Sequence, residues 1–154
     1  MRHLSLLILL GLLGFVGCRD DATLSSNLPT TQMAVGRKTY TLEIAATERQ
    51  RNKGLMQRDS IPKDHGMIFL FADEAERGFW MHNTRIPLDI LYLNSAGRVV
   101  SVHRMEPYVE ETTKSKAPAK YAIELNAGEA ESAGAKAGQL IEIPQTIKAT
   151  EAEQ

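Results

Sequence analysis

From Thr39 to Ile143 the apolar residues of this chain fall in short runs closed by glycine, asparagine or proline, most too short for a packing helix. Tyr40, Leu42 and Ile44 alternate with Thr39, Thr41 and Glu43, the pattern of a strand with one buried face. Gly66-Met67-Ile68-Phe69-Leu70-Phe71 is apolar without a break and predicts a strand buried on both faces. Gly78 to Met81 predicts another, ended by His82-Asn83-Thr84. Leu88–Leu93, the turn Asn94-Ser95-Ala96-Gly97 and Arg98–Met105 read as a hairpin. Tyr121–Leu125 and Gln139–Ile143 complete the strands.

Helix is minor. Thr47-Glu48-Arg49-Gln50 fits a capping box, with Thr47 as cap and Gln50 reaching back, opening a short helix toward Leu55 and Met56. A second short helix is expected from Gly128 to Ala133, stopped by Gly134. The fold class is therefore mostly β: a small antiparallel β-sandwich or open barrel with one or two short helices. Residues 37–143 form the single expected domain, and the polar tail 144–154 is expected to be disordered. With 18 Lys+Arg against 19 Asp+Glu, no basic field for nucleic acid exists.

The amino terminus is of another kind. Basic Arg2 precedes an apolar run from Leu4 to Val16, broken only by Ser5. It falls short of the about 20 residues of a membrane span and suits the core of a signal peptide. The run ends at Phe15-Val16-Gly17-Cys18. A small residue directly before cysteine in that place is similar to the lipobox of bacterial lipoproteins, although Phe15 stands where leucine is usual. Residues 1–17 are accordingly expected to be a lipoprotein signal peptide. Cys18 would then carry the lipid, and residues 18–36 would be a flexible tether. The implied site is the envelope: exported, anchored in a membrane through the lipid, and, in a Gram-negative cell, at the outer membrane facing the periplasm. Cys18 is the one cysteine, so once acylated it leaves no disulfide, thiolate nucleophile or cysteine zinc site.

Several stretches carry a resemblance. They are Arg51, Gly54-Leu55-Met56 with Arg58, Gly66-Met67-Ile68-Phe69, the sequence Phe79-Trp80-Met81-His82-Asn83-Thr84-Arg85-Ile86-Pro87-Leu88-Asp89, Gly97 to Val100, Pro107, and Tyr121 to Gly128. Together they resemble the family known as domain of unknown function 192. The resemblance implies a compact mostly-β domain, often exported or lipid-anchored, and implies no activity. The family usually has lysine where this chain has His82.

Candidate site residues follow from chemistry. Asp89 lies between Leu88 and Ile90, and Glu124 between Ile123 and Leu125. An ionised carboxylate in such a place costs several kcal/mol unless partnered. For Asp89 the candidate partners are Arg51, Arg58, Arg85 or the backbone N–H groups of the Asn83–Pro87 turn. Its role is then either a site carboxylate or a structural clamp. Trp80 suits stacking on a ligand if exposed and the core if buried. Asn83 and Thr84 either cap a turn or line a pocket mouth. Arg58, Trp80, Asn83, Thr84, Asp89 and Glu124 thus make the candidate binding set, for a small polar ligand, a glycan or a partner protein. An enzyme of hydrolase or lyase type would instead use Asp89 and Glu124, with His103 as an optional proton shuttle, and needs them in one cleft. A third alternative is a purely structural or interaction role. Met56, Met67, Met81 and His82 could in principle hold Cu(I), though filling the core explains the methionines as well. No cofactor fingerprint is present, and none is expected.

Overall fold

The computed structural model describes residues 27–152; the apolar segment, Cys18 and residues 19–26 of the expected tether lie outside them. Elements follow in the order β1 (Thr30–Val35), β2 (Lys38–Ala45), α1 (Glu48–Lys53), β3 (His65–Ala75), β4 (Gly78–Phe79), β5 (Leu88–Leu93), β6 (Val99–Met105), β7 (Thr113–Lys114), β8 (Ala119–Asn126), α2 (Glu129–Ala133) and α3 (Gln145–Ala152). Six strands form one sheet in the order β1-β2-β3-β8-β5-β6, and β4 pairs with β7 in a small ribbon. The sheet is open. The fold is mostly β as expected, and its pairings are antiparallel except β2 with β3. A parallel pair needs a crossover, and residues 46–64, with α1, provide it. Thr47 caps α1 as expected: its Oγ1 accepts from Gln50 N at 3.3 Å while Thr47 N donates to Gln50 Oε1 at 2.8 Å.

Side chains alternate across a strand, so this sheet has two covered faces and two cores. On the first face Leu42, Ile44, Ile68, Leu70, Leu91, Leu93, Ile123 and Leu125 pack beneath Ala130 and Ala133 of α2 and the later Ile141, Ile143 and Ile147. On the second, Met67, Phe69, Leu88, Ile90, Tyr92 and Ala122 pack beneath Leu55, Met81 and Ile86. Burial on both sides explains why β5 is buried at every position.

Four expectations need correction. Residues 30–35, assigned to a tether, are β1, whose Thr31, Met33 and Val35 are buried in alternation while Thr30, Gln32 and Ala34 face solvent. The tail is not wholly disordered: Gln145–Ala152 is α3, tied down by Ile147 in the first core. Gln139–Ile143 makes only a single bridge, Arg98 with Leu140, and acts as a cover through Ile141 and Ile143. The strand expected through Met81 stops at Phe79, because Trp80 onward turns away to form the second face's lid.

The β1–β2 hairpin shows how tightly the layers meet. Gly36 turns with φ +63°, and a Cβ there would stand 2.1 Å from the carbonyl oxygen of Ala133 in α2. Only glycine fits that approach.

Candidate functional site: a cleft above a buried carboxyl group

The strand register decides which candidates meet. Glu43, Met67, Glu124, Ile90 and His103 lie in one cross-strand row from β2 to β6 and therefore point to one face. Asp89 sits opposite Leu125 and Arg104 in the next row and points to the other. Asp89 and Glu124 thus occupy opposite sides of the sheet. The paired-carboxylate arrangement that a hydrolase or lyase would need is not formed by these two residues.

Asp89 is 4% exposed and fully engaged. Its Oδ1 accepts from Arg104 Nε at 2.8 Å, and its Oδ2 accepts from the backbone N–H groups of Gly128 and Ala130 at 2.8 and 3.0 Å. The partner is therefore none of Arg51, Arg58 or Arg85 but the residue directly across the hairpin, together with the start of α2. Asp89 clamps that helix to the sheet. Arg85 pairs instead with Asp59 at 2.7 Å on the surface.

Glu124 has the same sequence setting and the opposite environment. It is also 4% exposed, yet no hydrogen-bond donor among the described residues reaches its carboxyl group. Burial pushes its pKa up to about 8, against a small lowering by the Arg58 charge. The group therefore keeps its proton in most molecules at neutral pH. It borders a cleft of about 150 Å³ whose lining includes Arg51, Met56, Phe71, Phe79, Trp80 and Thr84. A wider hollow of about 660 Å³ adjoins this cleft across Lys53, Gly54 and Met56 and ends on Asn27 and Leu28, where the described chain begins. The smaller cleft is the one bordered by the buried ionisable group.

Its walls come from three segments. The crossover after β2 supplies α1 and carries Arg58 back over the sheet, where Nη1 and Nη2 donate to the two oxygens of Glu43 at 2.6 and 2.8 Å. That fork fixes the loop, and it takes up two of the donors of a candidate binding residue. α1 contributes Arg51, whose Nη1 donates to the carbonyl of Leu70 at 2.8 Å and to that of Ala46. Burial lowers the Arg51 pKa from its ordinary value, with a smaller opposing contribution from Glu48. Its guanidinium carbon lies 5.2 Å from the ring centre of Phe71, and that of Arg77 lies 4.1 Å from the same ring. Phe79 stands edge-on to Phe69, Phe71 and Tyr92, with ring centres 4.8, 6.3 and 5.8 Å apart.

The segment after β4 forms the third wall. Trp80 is 50% exposed, resolving the core-or-surface alternative in favour of the surface, and its ring stacks on His82 at 5.0 Å. His82 Nδ1 lies 2.8 Å from Glu110 Oε1. Thr84 is buried and lines the cleft, its Oγ1 donating to the His82 carbonyl at 3.3 Å. Asn83 instead is exposed at the turn, in the left-handed region at φ 52°, and its carbonyl accepts from Gln57 N at 2.9 Å. Met67 and Met81 are packed in the second core, and Met56 borders the cleft. His103 shares the face of Glu124, two strands away; its Nε2 is buried without a partner, and burial lowers its pKa.

Of the candidate set, Trp80, Thr84 and Glu124 thus share one cleft, Arg58 borders it through Glu43, and Asn83 and Asp89 stand elsewhere. Arg51 belongs to the cleft and was singled out from the sequence only as a partner for Asp89. Glu43 gave the signal of an acid in a strand, but its alternation with Leu42 and Ile44 suggested a solvent face.

The protein is thus an open mixed sheet, covered on both sides, with a cleft on one. It belongs to the domain of unknown function 192 family, described as an uncharacterised ACR, whose profile matches residues 30–143. Two solved structures share the fold. A protein of Sinorhizobium meliloti 1021, provisionally described as a transcription regulator, is 34% identical with a TM-score of 0.68, over 72% of this chain and 89% of that one. A protein of unknown function from Novosphingobium aromaticivorans DSM 12444 is 32% identical with a TM-score of 0.70, over 77% and 88%. No curated protein matches significantly.

Proposed function

We propose that this protein is an envelope lipoprotein, anchored through Cys18, whose domain binds a small polar ligand in the cleft above Glu124 without catalysing a reaction on it. One observation carries the binding reading: a carboxyl group 4% exposed, with no donor among the described residues, borders a cleft walled by a half-exposed tryptophan. Because Glu124 opens onto the cleft and the fold supplies it no donor, its hydrogen bonds fall to whatever fills the cleft, solvent or ligand. The buried carboxylates of the opposite face, Asp89 and Glu129, are both given donors by the fold, in contrast to Glu124.

A small molecule is favoured over a glycan chain or a partner protein because the cleft that the buried group borders is only about 150 Å³. The regulator label of the Sinorhizobium relative is not extended to this chain, whose near-balanced charge offers no basic surplus for phosphate backbones. The anchoring reading is supported by the apolar run before Gly17-Cys18. Among the described residues, no helix is long and apolar enough to cross a membrane.

Trp80 is the only tryptophan and borders the cleft, so its fluorescence reports occupancy directly. Screening the purified protein against small acids, amines, sugars and amides by Trp80 emission and thermal shift should find compounds that change both. Glu124→Ala, which removes the carboxyl group outright, should weaken their binding. A screen in which no compound moves either signal would remove the binding reading. Anchoring is tested separately: the protein should incorporate labelled palmitate and Cys18→Ala should abolish the labelling, and unchanged labelling would refute it.

A further inference from the structure

We propose that the cleft takes a small organic carboxylate, its head held between the Glu124 carboxyl group and the N–H groups that Arg51 has left, its tail against Phe71, Phe79 and Trp80. The inference rests on the reading of the cleft as a ligand site and names the class of ligand.

Two unfinished groups face the same space. Glu124, buried and holding its proton, can donate one hydrogen bond and finds no acceptor among the described residues. Arg51 uses Nη1 on two backbone carbonyls, while its Nε and Nη2 make no hydrogen bond among the described residues. Three cations near the cleft are already engaged: Arg58 by Glu43, Arg77 by Asp73, and Lys53 by Gln57 Oε1 at 2.7 Å. Arg51 has no ion-pair partner among the described residues, although it is half-buried. A carboxylate completes both groups at once, accepting a short O–H···O⁻ bond from the acid and N–H···O⁻ bonds from the guanidinium.

The charges around the cleft argue against a cation. Arg51 and Lys53 line it from α1, and Arg58 from the crossover is close enough to lower the Glu124 pKa. Glu43 on β2 is held by Arg58, Tyr92 on β5 has its hydroxyl donating to the Thr113 carbonyl at 2.7 Å, and His103 on β6 has its pKa lowered by burial and by the Lys116 charge. The three aromatic side chains supply an apolar wall, which inorganic anions do not use.

Calorimetric titration of the full purified protein with butyrate and with butylammonium at pH 6.5 and pH 9.0 tests this. Butyrate should bind at pH 6.5 and weaken about tenfold at pH 9.0, because Glu124, with its pKa near 8, then presents a second negative charge. Glu124→Gln keeps a neutral donor, so it should retain the pH 6.5 affinity within about threefold and lose the pH step. Arg51→Lys keeps the charge but not the fork, and should weaken butyrate at both pH values. If butylammonium binds instead, more tightly at pH 9.0 and not at all in Glu124→Gln, the cleft is a ligand site and the carboxylate class is wrong. If butyrate gives no heat with either folded protein, the inference also falls, whereas the binding reading falls only with the broader screen.

Discussion

Replacing Glu124 with glutamine should make the protein more stable, and increasingly so as pH rises. The folded state holds this carboxyl group at a pKa of about 8, against about 4.5 in the unfolded chain. Below pH 4.5 both states are protonated and the burial costs nothing extra. Between pH 4.5 and 8 the unfolded chain releases a proton that the folded one retains, so stability falls with pH; above 8 both are ionised and the loss is complete. At about 1.4 kcal/mol per unit, the cost is about 3 kcal/mol at pH 7 and about 4 to 5 kcal/mol above pH 8, an order of magnitude set by the desolvation of one carboxylate. Glutamine matches the acid in size and never ionises. Urea unfolding of both proteins at intervals from pH 5 to 9, followed by circular dichroism, gives the difference directly, because the titration of other groups cancels. The two should agree within about 1 kcal/mol at pH 5 and separate steadily above it. Parallel curves across that range would show that Glu124 is solvated or paired, and the account of the cleft would fail.

Other perturbations probe the frame around the cleft. Gly36→Ala puts a Cβ 2.1 Å from the Ala133 carbonyl oxygen at a positive φ and should cost more than about 2 kcal/mol in urea unfolding; a neutral result would mean the hairpin is not pinned to α2. Ile147→Ala removes the buried anchor of α3 and should cost about 2 to 4 kcal/mol, with no change in stability arguing that the helix does not pack. Arg58→Met removes both bonds to Glu43 and the one charge that lowers the Glu124 pKa; stability should fall by about 1 to 3 kcal/mol and the pH step should move upward, as read in the same unfolding series. A step that moves to lower pH would contradict that electrostatic assignment.

What the sequence showed and what it hid divide along physical lines. Strands β3 and β5 were legible because a sheet covered on both faces writes dense apolar runs, unbroken at Gly66–Phe71 and interrupted in β5 only by Asp89. The capping box at Thr47 was legible because it is local. Strand β1 and helix α3 were not, since each is held by one side: β1 by Thr31, Met33 and Val35 between the exposed Thr30, Gln32 and Ala34, α3 by Ile147. Their stability is tertiary, and local pattern carries little of it. Glu124 and Asp89 were both visible as acids in apolar strands, but which face each takes depends on pairing. The register sets Asp89 opposite Leu125 and Ile90 opposite Glu124, and an offset of one residue separates the two acids by the thickness of the sheet. Arg51 was assigned to Asp89 for the same reason, when it stands on the other side.

That separation yields a sharp contrast. The same change from carboxylate to amide should have opposite effects at the two acids. At Asp89 three donors converge on one carboxylate: Arg104 Nε, Gly128 N and Ala130 N. Asparagine can satisfy the two backbone groups with its carbonyl, but its NH₂ then faces the guanidinium, donor against donor. Asp89→Asn should therefore cost about 1 to 3 kcal/mol at neutral pH, part of the ion-pair share being discounted because the Arg104 side chain is 49% exposed. At Glu124 no donor is lost and an ionisation penalty is removed, so stability rises. Measured side by side at pH 7, the two variants should move the urea midpoint in opposite directions. If both lower it by similar amounts, Glu124 is an architectural residue like Asp89, and the cleft has no claim on a ligand. If they diverge, the fold keeps at Glu124 a carboxyl group that costs it stability, the expected mark of a residue whose partner arrives from outside.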